Sequence, residues 1–117
     1  RFLQMLVGLG EIGGRRVMSE AAVRLGTSNL MPDTLAPDGG FTNGGLPYGY
    51  GAGGLVGQGP TEGLYGWFGA AGTCGLVDMK DRLRLGLFTQ YMPATAYPVY
   101  GEFPAAVMRD KAGQSGA

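Results

Sequence analysis

The sequence contains no histidine and a single cysteine, Cys74. Without histidine, this chain alone cannot form a Ser-His-Asp triad, a histidine-based metal cluster or a histidine pH switch. One cysteine excludes an intrachain disulfide and argues against a cysteine-based metal site. We therefore expect no metal and no cofactor.

The chain also has no excess of positive or negative charge and no long apolar segment. Nine basic and nine acidic residues give a formal net charge of zero, so there is no electrostatic footprint for nucleic acid or an anionic membrane. No apolar run approaches the roughly twenty residues that a membrane span needs. An apolar helical pattern follows Arg1 at once, without a cap, a signal peptide or an initiator Met. This start predicts the C-terminal piece of a longer protein, and it does not distinguish a cytoplasmic from a periplasmic location.

Glycine is abundant, with 24 residues in 117, against an average of about 7%. The hydrophobic fraction of 44% excludes a low-complexity linker, so the glycines belong to turns and strands. They are concentrated in residues 64–73 (LYGWFGAAGT), where they interrupt large, β-prone side chains. Glycine weakens a strand, and a recurrent reason to keep it is close approach of another segment or a ligand.

The pattern of apolar residues predicts an α+β fold with antiparallel strands and flanking helices. Two helices are expected near the start, the second capped by Ser19. Pro104 argues against an unbroken terminal helix, because proline prefers the first turn. The predicted elements are helices over 2–9 and 20–25, a turn over 11–16, a loop over 31–47, strands over 48–58, 64–73, 74–78 and 82–90, a terminal helix within 98–109 and a flexible tail over 110–117.

Several side-chain motifs are better explained by structure than by chemistry. Residues 49–54 match the spacing G-x-G-x-x-G, but the following LVGQGP cannot begin the helix that a dinucleotide site requires. Cys74 has no histidine partner, which favours a buried small apolar residue over a thiolate nucleophile. Asp78 and Asp81 flank a turn, where local hydrogen bonding is favoured over an acid–base pair.

The chain also lacks a recognisable serine nucleophile. None of Ser19, Ser28 and Ser115 lies in a G-x-S-x-G motif or precedes a lysine by three residues. Main-chain chemistry remains, because a glycine-lined strand around Gly69 and Ala70 could present N–H groups to an anionic oxygen. The alternative is that these glycines only relieve packing.

The order of these motifs resembles the C-terminal part of serine β-lactamase-like hydrolases, in particular the class C β-lactamase-related esterases (family VIII carboxylesterases). Residues 66–73 resemble the third motif of that family. The similarity covers residues 1–109, which we interpret as one portion of a β-lactamase-like domain. The segments that carry it are residues 1–6, 14–19, 23–30, 48–53, 66–73, 76–78, 87–93 and 96–98.

The resemblance implies a β-lactamase/transpeptidase-like fold and a serine hydrolase mechanism. Trp67, Phe68 and Gly69 would occupy the third motif beside the substrate pocket, and the main-chain N–H of Ala70 would form half of the oxyanion hole. The family's serine and lysine (S-x-x-K) and its tyrosine are not in this chain. Phe68 departs from the usual small residue, which suggests a narrowed or apolar acyl pocket.

The resemblance further implies that this chain alone is inactive, does not fold stably and needs the N-terminal segment or a companion chain. Trp67 stands where β-lactamases carry the lysine of K-T-G, so we expect a neutral substrate such as a short-chain ester. The alternatives are an inactive β-lactamase-like binding or assembly module, a true β-lactamase or D-Ala-D-Ala peptidase relative, and a stand-alone glycine-rich β module.

Overall fold

The computed structural model describes residues 1–32, 41–43 and 46–114. Its helices and strands follow the chain in an α+β order, as predicted. The elements are α1 Phe2–Val7, β1 Glu11–Ile12, β2 Arg15–Arg16, α2 Glu20–Gly26, β3 Phe41–Asn43, β4 Leu46–Tyr50, β5 Leu55–Gly57, β6 Leu64–Gly69, β7 Thr73–Asp78, β8 Leu83–Leu87 and α3 Val99–Gln114, with 3₁₀ turns at Gly59–Thr61 and Ala94–Ala96.

The predicted turn over residues 11–16 is a small β-hairpin. Strand β1 pairs antiparallel with β2. Gly13 and Gly14 between them have φ angles of 57° and 78°. Positive φ at both central residues is what the type I′ two-residue hairpin turn requires, so the glycine pair accounts for this connection.

Helix α2 confirms the predicted N-cap. The Ser19 hydroxyl accepts a hydrogen bond from the Ala22 N–H at 3.2 Å, which satisfies one of the amides left free at a helix start. Glu20 and Arg24, four residues apart, form an ion pair at 2.7 Å on the exposed face.

A six-stranded sheet runs in the order β3-β4-β5-β6-β7-β8. The pairs β3–β4, β4–β5 and β5–β6 are antiparallel, in agreement with the prediction. The single strand predicted over 48–58 is wrong, because the chain reverses at residues 51–54, where Gly53 has φ 78°. The predicted loop over 31–47 is wrong where β3 and the start of β4 form; residues 33–40 and 44–45 lie outside the described residues.

The first of two structural units comprises Arg1–Trp67 and Leu76–Arg84. Its core joins both short helices to the sheet, since apolar residues of α1 and α2 are buried together with residues of β5, β6 and β7. The buried members are Met5, Leu6, Val23, Val56, Tyr65 and Val77.

The second unit comprises Phe68–Gly75 and Leu85–Ala117. Its helix α3 passes through Pro104 and continues to Gln114. Proline costs the helix one backbone hydrogen bond, but the alanines and long side chains after it are good helix formers. Helix α3 is therefore continuous at Pro104, and it extends beyond Arg109 into residues that we expected to form a flexible tail. In the described part of the chain, no helix has the length and apolar character needed to cross a bilayer.

Candidate functional site

The candidate site lies at the turn between β6 and β7. Strand β6 ends at Gly69, so the strand predicted over 64–73 is too long. The Gly72 N–H donates to the Gly69 carbonyl at 3.1 Å, and Gly72 has φ 74°. Ala70 and Ala71 are absent from the positive-φ residues. These features fit a type I turn followed by a left-handed glycine, a common three-residue hairpin loop.

The carbonyl groups of this turn are held by the segment after β8. The Thr89 hydroxyl lies 2.7 and 2.8 Å from the carbonyl oxygens of Ala71 and Gly72 and has one proton to share between these two acceptors. The Tyr91 N–H donates to the Ala71 carbonyl at 2.9 Å. Two donors, the Thr89 hydroxyl and the Tyr91 N–H, thus orient the peptides on the C-terminal side of Ala70.

The peptide that joins Gly69 to Ala70 is held from helix α3. The Tyr100 hydroxyl donates a hydrogen bond to the Gly69 carbonyl. Ala70 itself is exposed, and none of the turn and loop backbone hydrogen bonds among the described residues uses the Ala70 N–H as donor. The arrangement thus has a held Gly69 carbonyl beside an exposed residue, Ala70.

Close approach explains the two glycines that border the turn. A Cβ on Gly69 would lie 2.3 Å from the Thr73 hydroxyl oxygen, and a Cβ on Gly72 would lie 2.3 Å from that of Thr89. Both distances are far inside van der Waals contact. The prediction of close approach is confirmed at these positions, and the approaching atoms belong to the chain itself.

The two aromatic residues of the third motif have different surroundings. Trp67, in the first unit, is half exposed and meets the Tyr50 ring edge-to-face, with centroids 5.9 Å apart and planes at 87°. Phe68, in the second unit, packs against the Tyr100 ring with centroids 4.9 Å apart. The bulk of Phe68 therefore supports the same tyrosine that holds the Gly69 carbonyl.

The other candidate side chains have structural roles. Cys74 is buried, and burial raises the pKa of its thiol, as expected for a small apolar residue. The Asp78 carboxylate accepts hydrogen bonds from the N–H groups of Lys80 and Asp81, at 2.9 and 3.2 Å, which confirms the turn interpretation. Residues 49–54 form a strand end and a reversal. Among the described residues, no three His, Cys, Asp or Glu side chains are grouped to hold a metal ion.

Each unit also contains a cavity. One of about 250 Å³ in the first unit lies between α1 and α2, against Tyr65. One of about 400 Å³ in the second unit is bounded by residues 94–109, including Tyr100. Neither is lined by Ala70 or by the third-motif residues, so the predicted substrate pocket does not coincide with either cavity.

No known family model matches this sequence, and no curated protein matches it. The similarity to β-lactamase-like esterases thus stays a prediction based on the motifs. The residues that sequence reasoning missed are Tyr100 and Thr89, which lie 31 and 17 to 18 residues from the groups they hold. No local pattern assigns either residue a contact with the turn, because these contacts arise from the fold.

Proposed function

We propose that this chain supplies half of the oxyanion hole of a β-lactamase-like serine esterase, with the main-chain N–H of Ala70 as the donor. The observation that supports this most directly is the Gly69–Ala70 peptide, whose carbonyl is held by Tyr100 while Ala70 is exposed. A donor that is fixed before the reaction stabilises a developing charge without reorganisation cost.

In the proposed reaction, a serine oxygen from another segment attacks the ester carbonyl carbon and gives its proton to the tyrosine base of that segment. The carbonyl π-electrons move to the oxygen, and the Ala70 N–H donates to the resulting oxyanion. Collapse of this intermediate breaks the bond to the alcohol, which leaves with a proton, and an acyl-serine remains. Water then attacks the acyl-serine in the same way and releases the carboxylic acid. The serine, with its lysine and tyrosine, comes from the N-terminal segment or a companion chain.

The substrate class follows from charge. Residues 66–77 carry no charged side chain, and Trp67 stands at the place of the cation that a β-lactamase directs to its substrate's carboxylate. A neutral short-chain ester fits this surface, whereas a penicillin carboxylate would have no partner from this motif. We expect the assembled protein to hydrolyse p-nitrophenyl butyrate faster than a penicillin. A faster penicillin reaction would contradict the ester assignment, and hydrolysis of neither would favour the inactive binding module.

The donor can be tested by Ala70→Pro, which removes the N–H. Position 70 follows the extended residue Gly69 and is the second residue of the turn, where proline is well tolerated, so the turn should survive. In the protein assembled with its serine-bearing segment, we expect kcat for p-nitrophenyl butyrate to fall about a hundred- to thousandfold. The control is Ala70→Gly, which keeps the N–H and should retain most of the activity. A folded Ala70→Pro protein with unchanged kcat would exclude Ala70 as the donor.

The origin of the serine can be tested independently with a fluorophosphonate, which reacts with activated serines. Peptide mapping of the labelled protein should place the modification outside these 117 residues. Modification at Ser19, Ser28 or Ser115 would show that the nucleophile lies in this chain and would overturn the proposed division of the active site.

A further inference from the structure

We infer that Tyr100 is a positioning residue, whose hydrogen bond to the Gly69 carbonyl orients and polarises the Gly69–Ala70 peptide so that the Ala70 N–H faces the oxyanion. The inference rests on the proposed function, since it assigns a supporting residue to the same donor. Tyr100 touches neither substrate nor reacting atoms in this scheme.

The argument begins with the geometry of one peptide plane. The only cis peptide bond in the described residues is Met92–Pro93, so the Gly69–Ala70 peptide is trans. In a trans peptide the C=O and N–H bonds lie in one plane and point in opposite directions. Whatever fixes the direction of the Gly69 carbonyl therefore also fixes the direction of the Ala70 N–H.

The same hydrogen bond also changes the electronics of the peptide. A carbonyl that accepts a hydrogen bond draws electron density from its amide nitrogen, and linked hydrogen bonds strengthen one another. The Gly69 oxygen accepts two, from the Tyr100 hydroxyl and from the Gly72 N–H, which uses both of its lone pairs. The Ala70 N–H becomes a stronger donor than an amide whose carbonyl is free.

Phe68 provides the support for Tyr100. The two rings lie 4.9 Å apart at an angle of 49°, and aromatic pairs in such arrangements attract beyond simple burial. A small residue at position 68 would remove this ring contact. Phe68 differs from the small residue usual in the third motif, and its ring packs against Tyr100 of α3.

The variant Tyr100→Phe tests the inference, because it removes the hydroxyl and keeps the ring on Phe68. The control is Tyr97→Phe, which removes a hydroxyl in the same unit from a ring that packs on Tyr91 rather than at the Gly69 peptide. The first readout is the amide ¹⁵N and ¹H resonance of Ala70, recorded in the assembled protein. Loss of the bond to Gly69 should shift the Ala70 resonance upfield in Tyr100→Phe and leave it in place in Tyr97→Phe.

The second readout is the hydrolysis of p-nitrophenyl butyrate. In Tyr100→Phe we expect kcat to fall about three- to tenfold, the range of one side-chain hydrogen bond, with KM unchanged because ground-state binding does not use the donor. A purely structural tyrosine would lower the amount of folded protein and leave the kcat of the folded fraction unchanged.

The two readouts separate the inference from the proposed function. An Ala70 resonance that does not move in Tyr100→Phe overturns the inference, whatever the activity. If the resonance moves and Ala70→Pro has no effect on hydrolysis, the peptide is held as inferred and the oxyanion assignment fails. If Ala70→Pro abolishes hydrolysis while Tyr100→Phe leaves both kcat and the resonance unchanged, the donor stands and Tyr100 does not position it.

Discussion

Different interactions stabilise the interior of each of the two units. The first has an apolar core that joins α1 and α2 to the strands, with Val23 and Val77 almost completely buried. In the second, no described residue of α3 is buried, and order at the β6–β7 turn comes from hydrogen bonds to carbonyl groups. Burial stabilises without specifying direction, whereas hydrogen bonds orient individual peptides. In the second unit, directed hydrogen bonds therefore determine how the peptides of the β6–β7 turn are oriented.

The largest expected effect is a difference in the free energy of unfolding when a methionine is replaced by alanine in each unit. Met5 of α1 is 5% exposed, and Met108 of α3 is half-buried. In the protein assembled with its N-terminal segment, we expect Met5→Ala to lower the free energy of unfolding by about 2–5 kcal/mol, through lost burial and an unfilled cavity. Met108→Ala should cost less than half as much, because less of its surface leaves water on folding. Trp67, the only tryptophan, allows denaturant unfolding to be followed by fluorescence.

Equal losses in the two methionine variants would contradict this comparison. They would mean that α3 contributes burial comparable to that of α1.

An intermediate effect is expected at the β6–β7 turn. Gly72→Ala places a methyl group against the Thr89 hydroxyl and forces a non-glycine residue to φ 74°. Such a conformation costs about 1–3 kcal/mol, and displacement of Thr89 removes the hydroxyl donor shared by the Ala71 and Gly72 carbonyls. The matched control is Gly75→Ala, where a Cβ meets nothing within 4 Å. That change should be neutral or stabilise by about 0.4–1 kcal/mol, since alanine restricts the unfolded chain.

Cys74 reports on this turn without any added probe. It is buried, and burial raises the pKa of its thiol, so iodoacetamide should react only when the second unit opens. We expect faster reaction in Gly72→Ala than in Gly75→Ala. Equal rates would show that the turn does not control the opening of the unit.

The sequence predicted the two short helices of the first unit better than the reversal between β4 and β5 or the length of α3, for a physical reason. Apolar periodicity and the Ser19 cap are local signals, and they located α1 and α2 correctly because those helices are stabilised along one face and at one end. The prediction of one strand over 48–58 was wrong because glycine is compatible both with an extended strand and with a reversal of the chain. Helix α3 was predicted too short because Pro104 carries a penalty that the residues after it outweigh.

The candidate site could be predicted only in part. Gly69 and Ala70 were selected from the sequence, because glycine between aromatic residues indicates close approach. Tyr100 could not be selected, since a tyrosine near a helix start has no pattern that points to a carbonyl 31 residues earlier. Local sequence thus located the peptide, and only the fold shows what holds it.

The smallest expected effect compares the tyrosine hydroxyls that hold carbonyls in the two units. Tyr65 donates to the Ala52 carbonyl at 2.5 Å within the first unit, so Tyr65→Phe should cost about 1 kcal/mol at neutral pH, the net contribution of one hydrogen bond. Unlike Tyr100→Phe, it should leave the Ala70 amide resonance unchanged.

Burial, reinforced by Tyr50, raises the pKa of Tyr65 in the folded protein. The folded state therefore binds this proton more tightly than the unfolded chain, whose tyrosine pKa is about 10. The resulting contribution to stability is present below pH 10 and is lost as the pH rises through the folded pKa. Unfolding free energies measured from pH 7 to 11 should thus fall more steeply in the wild type than in Tyr65→Phe. Parallel curves would mean that the Tyr65 hydroxyl is as accessible to water in the folded protein as in the unfolded chain. The first unit would then lack a hydrogen bond from Tyr65 to Ala52 comparable to that from Tyr100 to Gly69.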